Sequence, residues 1–183
     1  MPTTAPRLRR VPAPLGWPGA APWLDEANST DLERRVAWRA LQDVGLLEDP
    51  VGSNRGRRID AMARRGGSPL GSYWCALWVG EVLADCGLGV PPGYGSCDAW
   101  RPWAVPGLPR EQVAVVLYGT ETDYQHIGLQ VRRAPIRLTV EGNRGLKGSG
   151  TRNGVAVDLD AIARDDLVAH IPLAALVLPE ASR

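Results

Sequence analysis

The stretch His126-Ile127-Gly128-Leu129-Gln130-Val131-Arg132-Arg133-Ala134-Pro135-Ile136-Arg137-Leu138-Thr139-Val140-Glu141 holds two alternating runs around an Arg-Arg-Ala-Pro turn. Alternation at period two marks strands, because successive side chains leave a strand on opposite faces. Pairing Arg132 with Pro135 across the turn sets Val131 against Ile136, Leu129 against Leu138 and Ile127 against Val140. That face is wholly apolar. The other face carries His126 directly opposite Glu141, with Gly128, Gln130, Arg137 and Thr139 beyond. Directly paired side chains stand about 5 Å apart at Cβ, so an imidazole and a carboxylate can meet there.

Outward from this hairpin, further strands are expected at Val113–Tyr118, at 154–159 and within 167–178. Upstream the period changes to that of helices. Thr30-Asp31-Leu32-Glu33 reads as a capping box opening a helix over 31–47, with Leu32, Val36, Ala40, Leu41, Val44 and Leu47 as its apolar stripe. A short helix follows over Arg58–Arg65, closed by Gly66-Gly67. A third, apolar helix is expected at 74–86, with Cys75, Trp78, Val79, Val82 and Cys86 along one face. Residues 88–110 hold five prolines and four glycines and read as a long irregular loop. Helices first and strands afterwards predict an α+β fold, N-terminal helices packed on an antiparallel sheet. Residues 1–28, rich in Pro and Gly, read as a flexible arm pinned by Trp17 and Trp23; residues 29–183 read as a single domain.

Composition narrows the functional classes. The 183 residues are 44% hydrophobic and 22% charged with a net charge of +1, so no overall field draws nucleic acid. No run has the length of a membrane span, and the basic cluster Arg7–Arg10 is not followed by a signal-peptide core. A monomer that is cytoplasmic as synthesised, and delivered to its target by another system, is the expectation. Cys75, Cys86 and Cys97 lack CxxC spacing, so no metal is expected, and neither is a cofactor. Cys75 and Cys86 would lie about 16 Å apart along one helix, which forbids a bridge, whereas a Cys86–Cys97 bridge is allowed.

In Gly71-Ser72-Tyr73-Trp74-Cys75-Ala76-Leu77-Trp78 a thiol opens an apolar helix. Unpaired amides at a helix start favour negative charge and lower a thiol's pKa. Two readings stand: a buried small hydrophobe, or a nucleophile served by the His126–Glu141 pair. Trp100 and Trp103, within the long loop, fit equally a packing role or a substrate groove.

Trp74-Cys75-Ala76 opening a helix, His126-Ile127-Gly128 opening a strand and Glu141-Gly142-Asn143 closing the next resemble a CHAP domain, the cysteine, histidine-dependent amidohydrolase/peptidase family. The lead-in Glu48–Gly56 resembles the segment before the nucleophile in short phage-type members, and the resemblance spans roughly residues 31–160. It implies a papain-like fold and hydrolysis of amide bonds in peptidoglycan stem peptides or at the sugar–peptide link. Carried over by position, Cys75 is the nucleophile, His126 the general base, Glu141 the orienting carboxylate and Asn143 a further polar partner. Tyr73, Trp74, Asn54 and Trp100 are expected along the substrate, with Tyr73 or Asn54 assisting the Cys75 amide at the oxyanion. The chain departs from the family in Leu77-Trp78, where Phe is common, and in Glu111-Gln112, where Gly-Asp often begins a strand. A toxin-like thiol hydrolase or deamidase acting on proteins, and a non-catalytic module of a phage or secretion assembly, are the alternatives.

Overall fold

The Thr30–Glu33 capping box forms as its residues dictate. The Glu33 amide donates to Thr30 Oγ1 at 3.2 Å, and the Thr30 amide donates back to Glu33 Oε2 at 2.7 Å. The other oxygen of Glu33 accepts from the amides of Gln112 (3.1 Å) and Val113 (3.2 Å), so the same cap pins the lead-in to the first long strand. The computed structural model describes residues 26–120, 122–133, 137–144, 154–158 and 167–178. Almost all of the expected N-terminal arm, with Trp17 and Trp23, lies outside them.

The helices are α1 (Asp31–Leu41), α2 (Arg57–Arg65) and α3 (Cys75–Asp85). Helix α1 is shorter than the expected 31–47. The chain turns at Gly45, whose φ of 92° suits glycine, and the next residues join the sheet edge. There Leu46 accepts from the Val155 amide at 2.9 Å and Leu47 bridges Gly154. Pairing with a strand satisfies backbone groups that a further helical turn would have satisfied internally. Helix α3 is the central element: Ala76, Leu77, Trp78, Val79, Val82 and Leu83 have no exposed surface. A helix apolar on this many sides must be covered on this many sides.

The strands are β1 (Val105–Pro106), β2 (Ala114–Thr120), β3 (Asp123–Arg132), β4 (Leu138–Arg144), β5 (Gly154–Asp158) and β6 (Leu167–Pro172). They form an antiparallel sheet in the order β1-β6-β2-β3-β4-β5, and the class is α+β. The 88–110 segment is less irregular than expected, since it contains a 3-10 helix (Cys97–Trp103) as well as β1. The last apolar stretch is strand only to Pro172 and then turns into a 3-10 helix, Leu173–Leu176.

The hairpin register differs from the expected one. Leu129 pairs with Val140 rather than Leu138, and Gln130 with Thr139. A bulge between Gln130 and Arg132 takes up one residue, and Arg132 pairs with Leu138, where β4 begins. Residues 134–136 of the expected turn lie outside the described ones. The slip is by two residues along the body of the hairpin, which preserves the faces. Ile127, Leu129, Val131, Leu138 and Val140 pack in one core with α1 and α3. His126, Gly128, Gln130, Thr139 and Glu141 share the other face, as expected, but the register sets Glu141 beside Gly128.

Candidate active site

Cys75 is the first residue of α3, and its thiol is buried to 6% exposure. The helix start is held from below. Trp74, just before the thiol, donates its indole N–H to Glu48 Oε1 at 2.9 Å, and Glu48 Oε2 accepts the Asn54 amide at 2.9 Å. This buried carboxylate joins the turn-rich lead-in to the residue before Cys75.

His126 stands near the start of β3, paired with Tyr118 of β2. The next rung is irregular: Gly119 pairs with Tyr124, leaving Gln125 as the extra residue of a bulge. Gly119 makes it possible, because a Cβ there would lie 2.3 Å from the Asp123 carbonyl oxygen. A second bulge follows Glu141 on β4, where Asn143 adopts the left-handed conformation at φ 53°. His126 and Glu141 are therefore each the last regular rung before a bulge, the position where a strand re-aims its side chains.

Glu141 reaches His126 diagonally, not across a rung. Its Oε2 accepts from His126 Nε2 at 2.9 Å, with Arg144 Nε at 3.6 Å. Its Oε1 accepts from the Tyr118 hydroxyl at 2.7 Å and the Thr139 hydroxyl at 2.8 Å. The path crosses Gly128, where a Cβ would lie 2.7 Å from Glu141 Cγ. With Nε2 engaged, Nδ1 is the ring nitrogen left for Cys75, to which His126 is also hydrogen-bonded.

The charges follow from these contacts. A hydrogen bond from the Cys97 thiol lowers the Cys75 pKa well below its ordinary value; burial opposes this, and His126 and the Ala76 amide add to it. Burial also works against an imidazolium, yet hydrogen bonds to Cys75 and Glu141 prevail and raise His126 to about 9. Burial of Glu141 favours the neutral acid, but His126, Arg144 and Tyr118 outweigh it and lower the carboxyl to about 2. These contacts all favour a thiolate, an imidazolium and a carboxylate in a row. This is the charge state of an activated cysteine nucleophile.

The structure brings Cys75, His126 and Glu141 into one hydrogen-bonded chain. Asn143 is buried in the bulge two residues beyond Glu141. Tyr73 projects into solvent at 69% exposure two residues before the thiol, and Asn54 stands partly exposed on its turn. Trp74 and Trp100, expected along the substrate, are instead wholly buried. Trp74 is held by Glu48, and Trp100 donates to the Tyr94 carbonyl at 3.0 Å. Their indoles were too large and apolar for the small core to leave outside.

The expected possibility of a Cys86–Cys97 bridge is also corrected. Cys97 Sγ lies 3.8 Å from Cys75 Sγ, at the other end of α3 from Cys86, and all three thiols are free. Cys86 sits in the helix cap, where burial pushes its thiol up to about 11. Tyr118, Thr139, Arg144, Glu48 and Cys97 were not foreseen as site residues. Tyr118 had a signal, since it ends its apolar run just before Gly119, where an antiparallel neighbour of His126 would lie. Cys97 had none. Among the described residues no group of three or more His, Cys, Asp or Glu side chains is placed to hold a metal ion. Nor is any helix among them long and apolar enough to cross a membrane. Comparison with protein-family models, curated proteins and solved structures found no match for this chain.

Proposed function

We propose that this chain is a cysteine-dependent amidohydrolase or peptidase of papain-like architecture, related to CHAP domains, that cleaves amide bonds of peptidoglycan. The observation that carries the reading is the buried His126–Glu141 hydrogen bond at 2.9 Å, with Cys75 at the start of α3 coupled to the same imidazole. In this mechanism the Cys75 thiolate attacks the scissile carbonyl carbon. Free amides of the first turn of α3, starting with that of Cys75, receive the oxyanion. His126, already protonated, gives its Nδ1 proton to the leaving amine as the C–N bond breaks. Water, deprotonated by the now neutral imidazole, then hydrolyses the thioester and returns the thiolate–imidazolium pair. Glu141 stays ionised throughout, holding the ring orientation and stabilising its charge. Tyr73, exposed two residues before the thiol, is the candidate to meet the stem peptide.

The test is mass spectrometry of fragments released from purified peptidoglycan by the wild-type protein and by Cys75→Ala. New amino and carboxyl ends at one amide bond are expected from the wild type only. Release by both proteins alike, or none by a folded wild type, overturns the proposal.

A further inference from the structure

The three cysteines are not equivalent, and only one pair has sulfur atoms in contact. Cys75 Sγ and Cys97 Sγ are 3.8 Å apart, brought together from different elements. Cys97 opens the 3-10 helix of the long loop. That loop is laid against α3 through Tyr94, whose ring covers Gly80, where a Cβ would lie 2.2 Å from Tyr94 Cδ2. Trp100 then anchors the 3-10 helix by its bond to the Tyr94 carbonyl. A free thiol has thus been fixed next to the one sulfur whose surroundings favour the anion.

We propose that Cys75 and Cys97 form a peroxide-reactive dithiol, in which Cys97 converts the oxidised nucleophile into a reversible intramolecular disulfide. The Cys75 thiolate attacks one oxygen of hydrogen peroxide, breaking the O–O bond; the leaving hydroxide takes the His126 proton and departs as water, and Cys75 becomes the sulfenic acid. The Cys97 sulfur then attacks Cys75 Sγ, forming the S–S bond and breaking the S–O bond. The departing hydroxide takes up the Cys97 proton, so two thiols and one peroxide give one disulfide and two waters. The sulfur atoms must close from 3.8 Å to ~2.05 Å, a movement the exposed rim of the loop can supply.

The local chemistry orders these steps. While Cys75 is a thiolate, the hydrogen bond Cys97 donates to it, together with burial and the neighbouring charge, keeps the Cys97 thiol protonated and unreactive. Oxidation of Cys75 removes both that negative charge and that acceptor. Cys97 is then released as a nucleophile only after its partner has been oxidised. The bridge blocks the Cys75 sulfur toward carbonyls and protects it from irreversible over-oxidation. A dithiol reductant restores both cysteines.

The proposal rests on sulfur geometry and is tested without any assay of hydrolysis, so it can fail independently of the peptidoglycan reading. The full chain is treated with stoichiometric hydrogen peroxide, denatured in a maleimide and analysed by intact mass and peptide mapping. The wild type is expected to lose about 2 Da, to take up one maleimide in place of three, and to yield a cross-linked peptide pair containing Cys75 and Cys97. Dithiothreitol is expected to restore all three labels. In Cys97→Ser, treated with two equivalents so that a second peroxide can oxidise the unresolved sulfenic acid, Cys75 is expected to gain about 32 Da, which dithiothreitol leaves in place. Cys86→Ser is expected to cross-link as the wild type does. Stable oxygen addition at Cys75 of the wild type, a bridge to Cys86, or an unchanged mass would each overturn the proposal.

Discussion

Asp43 and Glu141 are both carboxylates with almost no exposed surface, 2% and 0%, yet they are held by opposite kinds of partner. Asp43 accepts from Arg39 of α1 (2.9 Å), Arg58 of α2 (2.8 Å) and the Trp78 indole of α3 (3.0 Å). Guanidinium groups do not deprotonate in proteins, so the cationic partners keep their charge and the cluster ties three helices together. Glu141 is held by two neutral hydroxyls and an imidazole, with the Arg144 guanidinium farther off at 3.6 Å, and the imidazole is coupled to a thiol. In the proposed mechanism the proton of that imidazole moves. One buried carboxylate then fixes geometry and the other supports proton transfer, and the difference lies in the titratable imidazole.

The sharpest way to break this contrast is to remove each charge while keeping the shape. Glu141→Gln keeps an acceptor for Tyr118 and Thr139 but loses the charge that stabilises the imidazolium. The expected result is a fall in kcat/KM of roughly 10³- to 10⁴-fold, with the circular dichroism spectrum retained. Asp43→Asn takes the counter-charge from half-exposed Arg58 and leaves buried Arg39 with Asp85 alone. It is expected to cost about 3 kcal/mol of stability, read by denaturant unfolding, while activity per folded molecule stays close to wild type. The reverse pattern, stability lost at Glu141 and turnover lost at Asp43, would erase the distinction.

The pH dependence sharpens it further, because only the Glu141 cluster contains an imidazole. His126 is raised from its ordinary 6.5 to about 9 in the folded protein, so its contribution to stability is complete below pH 6.5 and is lost as pH rises through about 9. Glu141 is lowered from 4.5 to about 2, so its contribution is present above pH 4.5 and is lost as pH falls through about 2. Activity that needs the imidazolium should fall on the alkaline side near pH 9. In Glu141→Gln that limb should move to lower pH, since the carboxylate raising His126 is gone. In Asp43→Asn it should stay in place. A pH–rate profile of the three proteins checks all three statements.

Much of this site is legible in the sequence, and the part that is not has a common cause. Periodicity assigns the faces of β3 and β4, and a helix-opening cysteine marks the nucleophile, because face and helix phase depend on neighbours two to four residues away. The rung that joins His126 to Glu141 is not legible. Bulges at Gln125, Val131 and Asn143 leave the alternation of apolar residues almost unchanged, while each displaces the register by a residue. The slip of two keeps His126 and Glu141 on one face but turns a direct pair into a diagonal one. The arrival of Cys97 is illegible for a different reason. Its loop is positioned by single long-range contacts, such as Tyr94 on Gly80, that no local pattern announces.

The diagonal geometry yields a smaller and more specific test. Glu141 reaches His126 only because position 128 has no side chain. Gly128→Ala would put a methyl group 2.7 Å from Glu141 Cγ, in contact with a side chain whose carboxylate is fixed by three donors. The carboxylate must shift by several tenths of an ångström, lengthening the bond to His126. A loss of kcat of about 10-fold with KM little changed is expected, since an orientation error of this size is felt in the transition state. Had Glu141 faced His126 across a rung, as the regular register would place it, the same substitution would be silent.

The smallest effect is expected from Tyr118→Phe. It deletes one neutral donor to Glu141 Oε1 and leaves Thr139 on the same oxygen at 2.8 Å. Loss of a hydrogen bond to the charged form raises a carboxyl's pKa, and a carboxylate less firmly held supports its imidazolium less well. The alkaline limb of the pH–rate profile should therefore shift down by a fraction of a unit, with kcat reduced a few-fold and stability by about 1 kcal/mol. The position of the limb is the decisive readout. A purely structural tyrosine would lower stability and leave the limb near pH 9, and Tyr118 would then belong with the fixed contacts around Asp43 rather than with the relay.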